Sequence, residues 1–413
     1  MKAWRVVACA AVVASVALDA NAGEWATTWA AAPLAPSPAM GPFPASPSFT
    51  NQTVRQVVRI SAGGDRIRVR FTNEYGTKAL AIGAAHIALA DSKGSVQPGT
   101  DRALTFAGKP GTIVPSGAPM LSDPVDFPTK ALATLSVSIY FPEETGACTC
   151  HATGLQTAFV SDAGNFVDKV FTPKDKIQSR AFISGVEVES ASPTKVVAVL
   201  GDSISDGMGS TADMNRRWPD LLAERLAARD KNKGWGVANL GISGNRLLND
   251  GAGQNALARF DRDVLAQPGL AYVIVFLGVN DLGLSYGKFE GQLAQFFKSQ
   301  VPQHKATADS MIAAYRQLID RAHAHGVKIF GATIAPYEGA MYYSAEGNTV
   351  REAVNTWIRK GGAFDGVLDF DAAFRDPAQP TQMATPLHSG DHLHGSDAGY
   401  ETVAKSIDLS LFK

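Results

Sequence analysis

From Lys195 to the end of the chain, short apolar runs alternate with helical stretches, and this alternation restricts the fold more than any other feature. The runs Val196–Leu200, Val237–Leu240, Tyr272–Leu277, Val327–Ile334 and Val367–Phe370 read as buried strands. Helices are expected over Trp218–Arg229, Asn255–Ala266, Thr307–His325, Glu346–Lys360 and Ser396–Leu411, the last with Ser396 as its N-cap. Such an order implies a parallel sheet covered by helices on both faces. Right-handed crossovers then bring every strand's carboxyl end to one edge, where open α/β sheets bind their ligands.

The preceding half has another texture. Residues 24 to 190 alternate with period two and are punctuated by Gly, Pro, Asn and Asp. In Arg66–Phe71, Ile67, Val69 and Phe71 point one way while Arg66, Arg68 and Arg70 point the other, as in a half-buried antiparallel strand. Thr53–Ile60, Ala85–Ala90 and Leu132–Tyr140 repeat the pattern, so a β-sandwich or jelly roll is expected. Ala32 to Ser48 is Pro-rich and irregular. At 413 residues there is length for two cores. The expected division is a β-rich accessory domain over 23–190 and an α/β domain over 191–413.

Residues 1–22 read as a signal peptide. Lys2 and Arg5 form a positive region, Val6 to Leu18 is apolar but too short to span a bilayer, and Ala20-Asn21-Ala22 gives a cleavage site. No later stretch approaches a membrane span, so a secreted or periplasmic product is expected. The net charge of −1, with no basic stripe, argues against nucleic acid as a partner. Cys148 and Cys150 remain after cleavage; an oxidising compartment lets them pair, yet one intervening residue strains such a bridge, and both states stay open.

Four junctions at the expected sheet edge carry unusual polar residues: Gly201-Asp202-Ser203, Asn239 to Asn245, Gly278-Val279-Asn280-Asp281, and Asp391-His392-Leu393-His394. Acyl transfer needs a nucleophilic oxygen, a base and donors for the developing oxyanion. Ser203 is the candidate nucleophile and His394 the candidate base. Asp391, three residues earlier, can reach the imidazole on a turn, whereas His392 adjoins Asp391 and points away more naturally. Oxyanion donors are the Ser203 N–H, an N–H of the Gly-rich second junction such as Gly244, and the Asn280 amide. Taken singly, each has an ordinary explanation as a turn glycine or helix cap; their coincidence at one edge favours chemistry.

These four blocks resemble the SGNH (GDSL) hydrolase family, in the family's order, over about residues 195–413. The resemblance implies a flavodoxin-like parallel sheet and a secreted serine esterase with Ser203, His394 and Asp391 as triad. It also implies an oxyanion hole of Ser203, Gly244 and Asn280, with no metal and no cofactor. Gly395 departs from the proline that often follows the histidine. The β-rich half resembles, more loosely, the N-terminal module of larger secreted members.

Rival readings fit less well. Ser203 lacks the Gly-x-Ser-x-Gly setting of an α/β-hydrolase. His388, Asp391, His392 and His394 crowd together as zinc ligands would, but no partner cluster appears elsewhere. A secreted carbohydrate-binding protein using Trp25 and Trp29 is the non-enzymatic alternative. Leu282 to Lys305, with Phe289, Phe296 and Phe297, is either a partial lid or a packing helix. Tyr337, Tyr342 and Tyr343 are candidate substrate-binding residues. The expected substrate is a small or short-chain acyl ester; acetylated carbohydrate, lysophospholipid and lipid esters share the same reacting carbonyl.

Overall fold

The computed structural model describes residues 23–39, 44–91, 94–230, 234–290, 297 and 300–413. The expected signal peptide at 1–22 therefore lies outside the described residues.

Two large antiparallel sheets make up most of the first half, with two two-stranded sheets beside them. One large sheet joins Glu24–Ala30, Ile183–Ser190, Gly64–Thr72 and Pro119–Leu121 in that order, with Val125–Thr129 also paired to Gly64–Thr72. The other has six strands, with Gln52–Arg59 and Thr134–Phe141 at its centre. Apolar residues from both sheets form one buried cluster, including Ile67, Val69, Phe71, Val137 and Phe141. The alternation in Arg66–Phe71 is realised as expected: its apolar side is buried, while Arg66 and Arg68 face Glu189 and Glu187 on the neighbouring strand. Burying only one side fixes the strand's register.

The second half is a five-stranded parallel sheet in the order Gly234–Asn239, Thr194–Gly201, Leu270–Phe276, Lys328–Ala332, Gly366–Leu368. Numbered along the chain this is 2-1-3-4-5, the flavodoxin-like order. Helices Trp218–Arg229, Ala308–Ala324, Ala345–Lys360 and Asp397–Ser406 cover it. Ser396 caps the last of these by accepting the Gly399 N–H.

Local departures have local causes. The helix expected over Asn255–Ala266 starts as α at Ala256–Arg259 and widens to a π-turn over Phe260–Leu265. The last expected helix stops at Ser406, because Ile407 is extended before a single 3₁₀ turn at Leu409–Leu411. The junction at Gly278 opens a helix, Val279–Tyr286, so the first residues of the expected lid connection are helical. Residues 291–296, 298 and 299 of that connection lie outside the described residues.

The two halves are not independent at their seam. Ala26, Ala30 and Ala32, from the start of the chain, sit in the core of the parallel-sheet half. Thr27 donates its N–H to Pro268, the Val237 N–H donates to Ser61 Oγ, and Arg59 pairs with Glu224 at 2.7 Å. Cys148 and Cys150 form a disulfide. Among the described residues no helix is long and apolar enough to cross a membrane.

Candidate active site

The strand Thr194–Gly201 ends where the short helix Ser203–Asp206 begins. Asp202 caps that helix by accepting the Ile204 N–H at 3.0 Å. Burial, with Asp281 and Asp206 nearby, pushes the Asp202 carboxyl up to about 7. Ser203 is thus presented at the sheet's carboxyl edge with its backbone N–H in the first, unpaired turn of a helix.

The loop before Asp397–Ser406 delivers the histidine. Ser203 Oγ lies 2.8 Å from His394 Nε2, and His394 Nδ1 lies 2.5 Å from Asp391 Oδ2. Asp391 Oδ1 accepts the N–H groups of Leu393 and His394, which locks the carboxylate on the turn. Burial acts to raise Asp391, but the bonds from His394 outweigh it and hold the carboxyl well below the usual carboxylate range. An ionised Asp391 accepting from Nδ1–H leaves the Nε2 lone pair for the serine proton.

The other histidines of this loop are engaged differently. His388 Nδ1 accepts the Gly390 N–H at 3.0 Å and the His392 N–H at 3.3 Å. His392 stacks on His388 with ring centroids 4.3 Å apart. Among the described residues, no three His, Cys, Asp or Glu side chains are grouped to hold a metal ion.

Two further junctions, Asn239 to Asn245 and Gly278 to Asp281, pack together beside the helix that Ser203 begins. Gly241 packs so tightly on the nucleophile helix that a Cβ there would meet the Asp206 nitrogen at 2.6 Å. Gly244 has φ of +80°, a conformation that glycine adopts without strain. Asp281 holds the segment after it, accepting from Leu247 N–H at 2.7 Å and Leu248 N–H at 2.9 Å. Asn280 is buried on the first turn of Val279–Tyr286; its amide nitrogen donates to Asn245 O at 3.0 Å. That bond uses one of the two amide hydrogens.

The tyrosines lie behind this wall. Tyr342 donates its hydroxyl to Asn280 Oδ1 at 3.1 Å, so it fixes which way the amide faces. Tyr337 is fully buried, with its ring edge-on to both Tyr342 and Tyr343; Tyr343 is partly exposed. Sequence reasoning missed two groups that the structure brings to the site: Asp206, which ends the nucleophile helix, and Arg259. Fully buried Arg259 donates to Gly201 O, Leu240 O and Asn245 Oδ1, tying the first two junctions together. An arginine on an expected amphipathic helix gives no signal of such a role.

Residues 199–402 match the profile of the GDSL-like Lipase/Acylhydrolase family. No curated protein matches the chain. Among solved structures, it is similar to LAE5, an alpha/beta hydrolase enzyme from the metagenome of Lake Arreo, Spain. That likeness has 21% identity and a TM-score of 0.38, over 53% of this chain and 95% of that one. It is also similar to a variant of Axe2, an acetyl xylan esterase from Geobacillus stearothermophilus, at 23% identity and a TM-score of 0.39. That match spans 53% of this chain and 95% of the other. Residues 199–402 are therefore a GDSL-like lipase/acylhydrolase domain, and the chain is a carboxylic ester hydrolase.

Proposed function

We propose that this is an exported serine esterase that cleaves small or short-chain acyl esters through a covalent acyl-enzyme. The observation that carries the reading is the unbroken relay from Asp391 through His394 to Ser203, at 2.5 and 2.8 Å. Ser203 attacks the ester carbonyl while His394 Nε2 takes its proton. The oxyanion is held by the N–H groups of Ser203 and Gly244 and by the Asn280 amide. His394 then protonates the leaving alcohol, and water activated by the same nitrogen releases the acid. Asp391 stays ionised throughout and steadies the imidazolium.

Several features support the finer parts of this reading. The Asp391 side chain is 45% exposed while Ser203 is buried, so the relay runs from the surface to an enclosed nucleophile. Tyr337, Tyr342 and Tyr343 back the Asn280 side of the site and limit its depth there. The positive and apolar segments before Ala22, together with the Cys148–Cys150 disulfide, support export to an oxidising compartment. In this reading 23–190 is an accessory domain and 191–413 the catalytic one. The test is turnover of p-nitrophenyl esters of increasing chain length by the wild type and by Ser203→Ala. Loss of essentially all turnover in the variant, with rates falling as the acyl chain lengthens, is the expected result. An active Ser203→Ala overturns the mechanism; a flat or rising chain-length series overturns the substrate class.

A further inference from the structure

His151 belongs to the β-rich half, on the short strand Cys150–His151 beside the disulfide. Its ring nevertheless reaches into the esterase half. Nε2 lies 2.8 Å from Asp206 Oδ1, and Nδ1 lies 3.0 Å from the Ala32 carbonyl. The two side chains are only 5% and 2% exposed. Both ring nitrogens therefore face oxygens of fixed partners.

The second oxygen of Asp206 is also occupied. Asp206 Oδ2 accepts the Ser243 N–H at 3.0 Å and the Ser243 hydroxyl at 2.7 Å. Ser243 immediately precedes Gly244. Asp206 itself ends the helix that Ser203 begins, and its own N–H is bonded to Asp202 O. One carboxylate thus couples three things: the nucleophile helix, the loop carrying the Gly244 N–H, and a histidine from the other half. A buried carboxylate with a partner missing is costly and rearranges, so removing His151 perturbs the Ser243 side as well.

We propose that His151 is a positioning residue for ester hydrolysis: by fixing Asp206 it sets the Ser243–Gly244 loop that presents an oxyanion donor to Ser203. The β-rich half then completes the esterase site. This rests on the reading of Gly244 as an oxyanion donor given above.

The test compares His151→Ala, His151→Gln, Ser243→Ala and the double variant His151→Ala/Ser243→Ala in the full chain. Readouts are kcat and KM on p-nitrophenyl acetate and the rate at which a p-nitrophenyl phosphonate labels Ser203. For His151→Ala we expect kcat and labelling to fall about 10- to 50-fold with KM within about twofold. That is less than the roughly 10²–10³ for deleting an oxyanion donor outright. His151→Gln, which keeps an N–H toward Asp206, recovers most of the loss. Ser243→Ala costs about 3- to 10-fold, and the double variant is within about twofold of His151→Ala, because both act through one carboxylate.

Wild-type kcat in His151→Ala, a loss confined to KM, or additive losses in the double variant would overturn the proposal. Should His151→Ala fail to fold, the other single variants decide it: full kcat in Ser243→Ala overturns it, and reduced kcat with unchanged KM upholds it. Ser203→Ala separates the two claims. If that variant is dead while His151→Ala is normal, only the positioning role falls; if Ser203→Ala is active, the mechanism falls with it.

Discussion

The molecule contains two histidine–aspartate pairs within reach of Ser203's helix, and they differ in what they leave free. Asp391 and His394 lie three residues apart on one turn, with the carboxylate exposed and Nε2 turned toward the Ser203 hydroxyl. Asp206 and His151 come from different halves of the chain, are buried, and have their hydrogen-bonding positions filled by a carbonyl, a backbone N–H and a hydroxyl. The same two side chains therefore serve opposite ends. On the proposed reading, the pair with a lone pair facing a hydroxyl moves protons, and the saturated pair holds backbone in place.

The sharpest way to break this comparison is to remove each histidine. His394→Ala should lower kcat by about four orders of magnitude or more, close to the loss from Ser203→Ala, since such residues act as a unit. Equal losses in His394→Ala and His151→Ala, measured as kcat on p-nitrophenyl acetate, would erase the distinction. Asp391→Asn should cost on the order of 10³–10⁴, because the amide favours the wrong imidazole tautomer.

The pH profile sharpens the exposed pair. Asp391 is held well below the usual carboxylate range, so it stays ionised where an ordinary carboxylate takes up its proton. The acid limb of kcat/KM should therefore follow a single ionisation, with activity lost as pH falls. A second ionisation near pH 4–5 would show that Asp391 is not held as described.

Tyr342→Phe probes a subtler support. It removes the hydroxyl on Asn280 Oδ1 and should lower kcat about two- to fivefold with KM unchanged. A change confined to KM would return Tyr342 to direct substrate contact. The smallest expected effect is on stability. Asp202 keeps a proton in the folded chain up to about 7 that the unfolded chain releases near 4, so folding stability falls as pH rises across that window. Asp202→Asn retains the cap acceptor and should flatten this slope, melting about 2–4 °C higher for each kcal/mol regained at pH 8, and little differently at pH 4. Parallel Tm curves for the two proteins would contradict it.

Much of the site could be read before any coordinates because each of its groups stands at the end of a patterned element. Ser203 follows an unbroken apolar run, Asn280 and Gly244 follow two more, and His394 with Asp391 precedes a capped helix. Parallel topology then does the assembling. The buried pair is illegible for the opposite reason. His151 stands beside two cysteines in a β segment, and 55 residues separate it from Asp206. No periodicity links a two-residue strand to the last position of a four-residue helix. The helix at Val279–Tyr286 was hidden by its Gly-Val-Asn-Asp start, which reads as a junction. The change from antiparallel to parallel sheet was legible in texture, but not the fact that three alanines from the start of the chain fill the other core.

Those alanines bear on how this protein can be cut and rebuilt. An excision at residue 190 would open gaps at Ala26, Ala30 and Ala32 and bare the polar seam they cover, as well as removing the histidine behind Asp206. A transplanted esterase would need the stretch around 24–32 carried with it as a patch, and a shuffled chain that exchanged the first half wholesale would inherit a mismatched floor. The two textures of the sequence mark where the architecture changes, while the unit that can be inherited intact is larger than either.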